Sequence, residues 1–408
     1  MRRPELDTLL FQMLGTYPGI SDLIFAVGRP YQVETYGELK EAVVEPRITA
    51  LTRYQTERIA LNIIGPDRRL LRELAARGAC DCGYQLGQQA RFRVNIFRQR
   101  GNLSIVMRKM QEEMPTIESL GLQPIFHDMC REKNGLILVT GATGSGKTTT
   151  LSAMLNEINE RSPIHIVTLE DPIEFIHPHK KATFNQRELG ADFEDYPSGL
   201  RSALRQAPKV ILVGEMRDRS TVEIAMTAAE TGHLVLSTIH TINAGQSINR
   251  ILGMFERSEE QQLRLRLSEM VRWIVSQRLA PKVGGGRVLI NEILGSNLRT
   301  RETIVHGEDD VRSFYDIIEA QATFGWTTFD QSLQRAFEAG TISEETAQLY
   351  ATSKARMTRY IDDVKKKRGL AEEKPTGLRL DPDTAPASLA AKAPPPLPSA
   401  SAPGLRLS

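Results

Sequence analysis

The chain has 408 residues, with 52 lysines and arginines against 50 acids, a formal net charge of +2, and ordinary hydrophobic (40%) and charged (25%) fractions. The near-neutral balance gives no whole-chain support to a nucleic-acid binder, and the length favours two or more domains over a single core. The three cysteines, Cys80, Cys82 and Cys130, cannot complete a Cys₄ zinc site and would leave one thiol over in a disulfide framework, so free thiols in a reducing cytoplasm are expected.

No apolar run approaches the ~20 residues that cross a bilayer, and the first residues lack the apolar core of a leader; membrane contact is expected to be peripheral, through a partner. Leu6, Leu9, Leu10, Met13 and Leu14 recur at helical spacing and predict an opening amphipathic helix. Residues 21–30 read as a strand ending in a turn, with 31–34 as its return partner. Helices are predicted at 52–64 and 67–77, then an alternating strand at 91–96 that pairs with a strand at 103–108. Together these make a small α+β domain. Glu112-Glu113-Met114-Pro115-Thr116 is a polar, proline-bearing break, which places the domains at 1–113 and 114–368.

Beyond the break, strands (136–139, 164–169, 210–213, 233–237) alternate with helices (from 147, around 198–206, 221–230). That alternation predicts an α/β domain with a mostly parallel sheet covered by helices. Ser220 with Glu223, and Thr328 with Gln331, fit capping boxes. Residues 259–277 and 311–360 read as mainly helical. The remainder, 369–408, is rich in proline and alanine and is predicted to be disordered, with Gly-Leu-Arg-Leu occurring twice.

The chemistry centres on residues 135–152. A buried strand runs into Gly141-Ala142-Thr143-Gly144-Ser145-Gly146-Lys147-Thr148-Thr149 and then a helix, the setting of a phosphate-binding loop. Glycines 141, 144 and 146 let backbone N–H groups curl around an anion, and the helix start adds its positive dipole end. Lys147 then reaches the β- and γ-phosphates and the Thr148 hydroxyl ligates Mg²⁺, with Thr143, Ser145 and Thr149 in the same cradle; ATP and Mg²⁺ are the expected ligands.

A hydrolysing ATPase also needs a carboxylate at a neighbouring strand end to orient or deprotonate water. Val210-Ile211-Leu212-Val213-Gly214-Glu215 supplies Glu215, with glycine where a common Walker B strand has aspartate, so one acid serves both catalysis and metal. Glu170 and Asp171 follow another apolar strand and are second candidates, against the alternative that they cap a turn before Pro172. His233 and His240 bracket the last strand as candidate catalytic histidines, His240 as a γ-phosphate sensor. His177 and His179, split by Pro178, read as loop residues. Arg91, Arg93, Arg98 and Arg100 crowd the strand and turn before the break; a solvated basic face competes with arginine fingers that reach nucleotide on the other domain.

With these residues in place the chain resembles the secretion-ATPase superfamily, most closely its pilus-retraction branch. Ser21-Asp22-Leu23 with Gly28-Arg29-Pro30, and Ala90-Arg91-Phe92-Arg93-Val94-Asn95, resemble its PAS-like N-terminal domain. Glu170-Asp171-Pro172-Ile173-Glu174-Phe175 resembles its Asp box, Val213-Gly214-Glu215-Met216-Arg217-Asp218 its atypical Walker B, and Thr231-Gly232-His233 through His240-Thr241 its His box. The resemblance implies a PAS-like domain followed by a RecA-like P-loop ATPase domain, with nucleotide held between them in a hexameric ring. It further implies a cytoplasmic motor, peripheral to the inner membrane, that turns a pilus platform protein to retract type IV pili, with a paralogous retraction ATPase as a further candidate partner and no direct nucleic-acid partner. The absence of a tetracysteine motif and of a long extra N-terminal region favours retraction over assembly. Phe324-Gly325-Trp326-Thr327 is closer in wording to accessory retraction ATPases. Two other readings stay open: a traffic ATPase of a type IV secretion or conjugation system, and a RecA-like motor that translocates nucleic acid.

Overall fold

The computed structural model describes residues 3–87, 89–110, 113–309 and 312–368; the proline- and alanine-rich tail and both Gly-Leu-Arg-Leu copies lie outside them. The described residues up to 361 form one compact unit. Within it are two sheets, one from residues 20–109 and one from residues 135–295.

The first sheet contains β1 (Ile20–Phe25), β2 (Gln32–Thr35), β3 (Glu38–Glu41), β4 (Ala79–Leu86), β5 (Ala90–Gln99) and β6 (Asn102–Lys109), in the order β3-β2-β1-β6-β5-β4, all antiparallel. The opening helix Arg3–Leu14 buries Leu6, Leu9, Leu10 and Met13, as its spacing predicts. The helix Arg53–Ile64 starts at a complete Thr52–Gln55 capping box, and Arg68–Arg77 at Asp67. On β5, Phe92, Val94 and Ile96 enter the core shared with these helices, while Arg91 and Arg93 stand on the opposite face.

The second sheet contains β7 (Gly135–Thr140), β8 (His165–Glu170), β9 (Thr183–Glu188), β10 (Val210–Val213), β11 (Leu234–Ile239), β12 (Val271–Pro281) and β13 (Arg287–Gly295). Its order is β13-β12-β7-β11-β10-β8-β9, parallel throughout except for the β12–β13 edge pair. Every residue of β7, β10 and β11 is buried, because helices cover both faces. Alternate residues of β7 feed separate cores. Leu136 and Leu138 meet Val222, Met226 and Ile248 on one side. Ile137 and Val139 meet Leu151, Met154 and Phe126 on the other.

Several sequence expectations change. The predicted helix over 259–277 ends at Met270, and β12 takes the remainder, because the β-branched Val271, Ile274 and Val275 complete the edge of β7. The capping box expected at Ser220 and Glu223 is replaced by Asp218, whose side chain accepts from the Thr221 N–H; the helix begins at Arg219. The Thr328–Gln331 box is present. Among the described residues no helix is long and apolar enough to cross a membrane, and the three cysteines are free thiols.

Candidate nucleotide site at the carboxyl rim of the sheet

Parallel register brings four strand ends to one rim. Val213 pairs with Leu169 and with Ser237, and Ile239 with Thr140, so the residues that follow emerge side by side. Gly214 N–H donates to Leu169 O (2.8 Å) and Met216 N–H to Thr238 O (3.1 Å), which carries the alignment past the strands. Gly141, Glu170, Glu215 and His240 thus come from four neighbouring strands.

The loop after β7 is held open for an anion. Gly144 (φ 77°) and Gly146 (φ 89°) have empty space where a Cβ would stand. At Gly141 a Cβ would lie 2.5 Å from both Gln277 O and Ser145 Oγ, because β12 packs directly behind the turn. Lys147 is buried and its Nζ donates to Gly141 O and Ala142 O, each at 3.0 Å. Burial lowers its ammonium pKa, against the pull of Glu215 and Glu174. Ser145 Oγ is buried without a partner, an unused polar atom in the cradle.

Facing the loop is a cavity of about 500 Å³ lined by Lys147, Thr148, Glu170, Glu174, Glu215 and His240, together with Arg93 from β5. Thr143, Gly144, Gly146 and Thr149 line it as well, and Asp171 beside Glu170. Glu215 Oε2 lies 2.7 Å from Arg217 Nη2 and 3.4 Å from His240 Nε2. Burial pushes its carboxyl up, but the Arg217 hydrogen bond and the His240 charge pull harder, and the net shift is below the usual carboxylate value. Glu215 is therefore ionised at neutral pH.

Glu170 has the opposite balance. Burial pushes its carboxyl up to about 7, although Thr168 Oγ1 (2.6 Å) and Gln186 Nε2 (2.9 Å) both donate to Oε1. The folded protein keeps this proton to about pH 7, whereas the unfolded chain releases it near 4.5. Stability from this group is complete below about pH 4.5, falls as pH rises toward 7, and is flat above; the loss is about 3 kcal/mol. Glu170→Gln removes the loss, so its melting temperature relative to wild type should rise by several degrees between about pH 5 and pH 7.5; parallel melting curves at both pH values would refute the burial argument.

Other predicted residues are placed elsewhere. His233 precedes β11 at its amino end, on the rim away from the loop, where Nδ1 sits 2.9 Å from Ala228 O and 3.3 Å from Thr231 Oγ1. It closes a helix end and does not join His240. Arg91 is paired with Glu188 at 2.9 Å. Arg98 falls on the other face of β5 from Arg91 and Arg93, at its exposed end, and Arg100 lies in the following turn; neither lines the cavity within one chain. His177 stacks on Phe184 with ring centres 4.3 Å apart, and among the described residues no group of three His, Cys, Asp or Glu can hold a metal alone. A P-loop Mg²⁺ needs only one or two protein ligands beside phosphate oxygens and water, and the Thr148 hydroxyl with the nearby acids fits that donor set.

Residues 83–346 match the family described as Type II/IV secretion system protein, well over half the chain. The chain belongs to that family. It is 39% identical over 329 residues to the type IV pilus retraction ATPase PilT of Pseudomonas aeruginosa, covering 81% of this chain and 93% of that one. To the type IV pilus ATPase PilU of the same organism it is 35% identical over 350 residues, covering 86% and 89%. Among solved structures, the pilus retraction motor PilT with bound ADP superposes with a TM-score of 0.78 at 36% identity, covering 86% of this chain and 98% of that one. The fold is thus a RecA-like P-loop ATPase layer preceded by a PAS-like α+β layer.

In this secretion-family chain the glycine before Glu215 has a steric cause: a Cβ at Gly214 would lie 2.9 Å from the Tyr196 hydroxyl and 3.1 Å from Leu169 O. An aspartate there would have to displace the Tyr196 hydroxyl and crowd the Leu169 carbonyl. Sequence reasoning missed Glu174, Tyr196, Arg217 and Arg287, which also line the cavity. Glu174 lines the cavity with Thr148, and its carboxyl is raised first by burial, against the lowering influence of Thr148, Arg93 and Lys147. Its only sequence signal was membership of the Glu170-Asp171-Pro172-Ile173-Glu174 run, since the loop that brings it to Thr148 is not periodic. Arg287 enters from the β12–β13 hairpin, whose strands were not predicted.

Proposed function

We propose that this ATPase is the hexameric, Mg²⁺-dependent motor that powers type IV pilus retraction, with a domain division at 113/114. One observation carries the catalytic reading: an ionised Glu215, held by Arg217 and His240, lines the same cavity as Lys147 and Thr148. The full-length similarity to PilT supports the biological one.

The backbone N–H groups of Gly141 through Thr149 and the Lys147 ammonium hold the β- and γ-phosphates of ATP, with Ser145 Oγ as a further donor. Thr148 and Glu215 hold Mg²⁺, which when bound neutralises charge on the phosphate oxygens. Glu215 orients the attacking water and accepts its proton, and His240 donates toward the γ-phosphate. Glu170, whose Oε1 accepts from Thr168 and Gln186 and whose carboxyl burial raises to about 7, acts as a hydrogen-bonded neighbour rather than a second base. Arg93 brings positive charge from the N-terminal sheet to the open side of the cavity, so the sheet's position matters to the chemistry. The motor works in the cytoplasm at the inner membrane, against a platform protein.

A clean deletion scored for surface fibres and twitching tests this reading. Excess pili with lost movement, restored by the intact gene, is the expected result. Normal fibre number and movement with lost export would assign the chain to a secretion system instead, and salt-sensitive stimulation of the ATPase by single-stranded DNA would point to a nucleic-acid motor.

A further inference from the structure

Edge strand β9 differs in character from its parallel neighbours: Thr183-Phe184-Asn185-Gln186-Arg187-Glu188 is largely polar. Gln186 and Glu188, at alternate positions, share one face. That face is bonded to the segment between Glu170 and His177. Gln186 Nε2 donates to Glu170 Oε1 (2.9 Å) and to Phe175 O (2.8 Å), and its Oε1 accepts from the His177 N–H (2.8 Å). Glu188 Oε2 accepts from the Ile173 N–H (3.2 Å) and from Arg91 Nη2 (2.9 Å).

Arg91 belongs to β5 of the N-terminal sheet, so one carboxylate oxygen joins that sheet, the edge strand and the acid-bearing loop. The pair is well covered, with side-chain exposures of 16% and 17%. Gly83 on β4 lies alongside it: a Cβ there would lie 3.4 Å from Arg91 Nη2 and 3.9 Å from Glu188 Oε1, within ordinary contact distance. A covered ion pair of this kind is costly to break one-sidedly, because the remaining charge is left without its partner.

We propose that Arg91 and Glu188 form a positioning latch that reads the seating of the N-terminal sheet into the loop carrying Glu170 and Glu174. With the sheet seated, Arg91 holds Glu188, Glu188 holds the Ile173 N–H, and Glu174, one residue on, lines the nucleotide cavity together with Thr148 of the phosphate loop. Arg91 then acts through Glu188 without touching nucleotide, a different task from that of Arg93 two positions along the same strand. The inference rests on the ATPase reading and specifies how domain seating is coupled to that same site.

The test uses the purified full-length protein and a double-mutant cycle. Arg91→Ala, Glu188→Gln, the double variant and Arg91→Lys are compared for kcat, KM for MgATP and equilibrium affinity for a non-hydrolysable ATP analogue. Each single variant should lose about tenfold in kcat with analogue affinity within about twofold of wild type, and the double should be no worse than the poorer single. The contact is a single hydrogen-bonded approach rather than a fork, so Arg91→Lys should recover at least about half of kcat, which also shows that the losses are not misfolding. A tenfold loss of analogue affinity in Arg91→Ala that Glu188→Gln does not share would make Arg91 a nucleotide ligand and overturn the latch. Multiplying losses in the double variant would overturn it too. A wild-type protein that turns over no ATP would instead remove the ATPase reading, and the latch with it.

Discussion

Glu215→Gln protein should bind ATP as tightly as wild type and hydrolyse it at least about a hundredfold more slowly. The amide keeps the size and the hydrogen bonding of the carboxylate toward Arg217 and His240, so the cavity keeps its shape. What it loses is the ability to take a proton from water, together with the charge of a Mg²⁺ ligand whose place the amide oxygen can still fill. No neighbouring acid can substitute. Gly214, where another P-loop ATPase would carry a second carboxylate, offers none, and a side chain there would have to displace the Tyr196 hydroxyl. Glu170 is buried with Oε1 already accepting from Thr168 and Gln186, and Glu174 is half-buried with its carboxyl raised. Equilibrium binding and phosphate release, measured on the same preparation, separate the two effects. Turnover within a few fold of wild type would remove Glu215 as the base.

How much of this was readable depends on whether a residue's neighbours in space are set by local periodicity. β10 is an uninterrupted apolar run, and β7 and β11 each contain one of at least three residues, because both their faces are covered, and such runs stand out in a sequence. Residues at their carboxyl ends, Glu215 and His240, inherit that legibility. His233 illustrates the limit, for it sits as close in sequence to β11 as His240 does, and only the common direction of parallel strands sends it to the far rim. The four arginines near β5 divide for a similar reason. Alternation puts Arg91 and Arg93 on one face and Arg98 on the other, and the pairing of Arg91 with Glu188, 97 residues away, leaves no local trace. β9 and β12 were missed because their stability comes from an open sheet edge supplied by β8 or β7, and their own patterns are polar or ambiguous with helix.

Lys147→Ala should also abolish turnover, but by the opposite route. Its ammonium is buried within the loop, bonded to Gly141 O and Ala142 O, and shares the cavity with Glu170, Glu174 and Glu215. Burial lowers the pKa of this cation, and phosphate oxygens bound beside it add negative charge that favours its charged form. Without it the triphosphate meets an acid-lined cavity whose remaining cations are Arg93, Arg287 and an Arg217 already paired with Glu215. Losing its charge-assisted bonds costs about 3 kcal/mol, or more than about a hundredfold in Kd for ATP. Comparing the two variants therefore separates binding from chemistry. Equal ATP affinity in Lys147→Ala and Glu215→Gln would mean that the loop does not hold the phosphates, and the position of Glu215 would then have no substrate to act on.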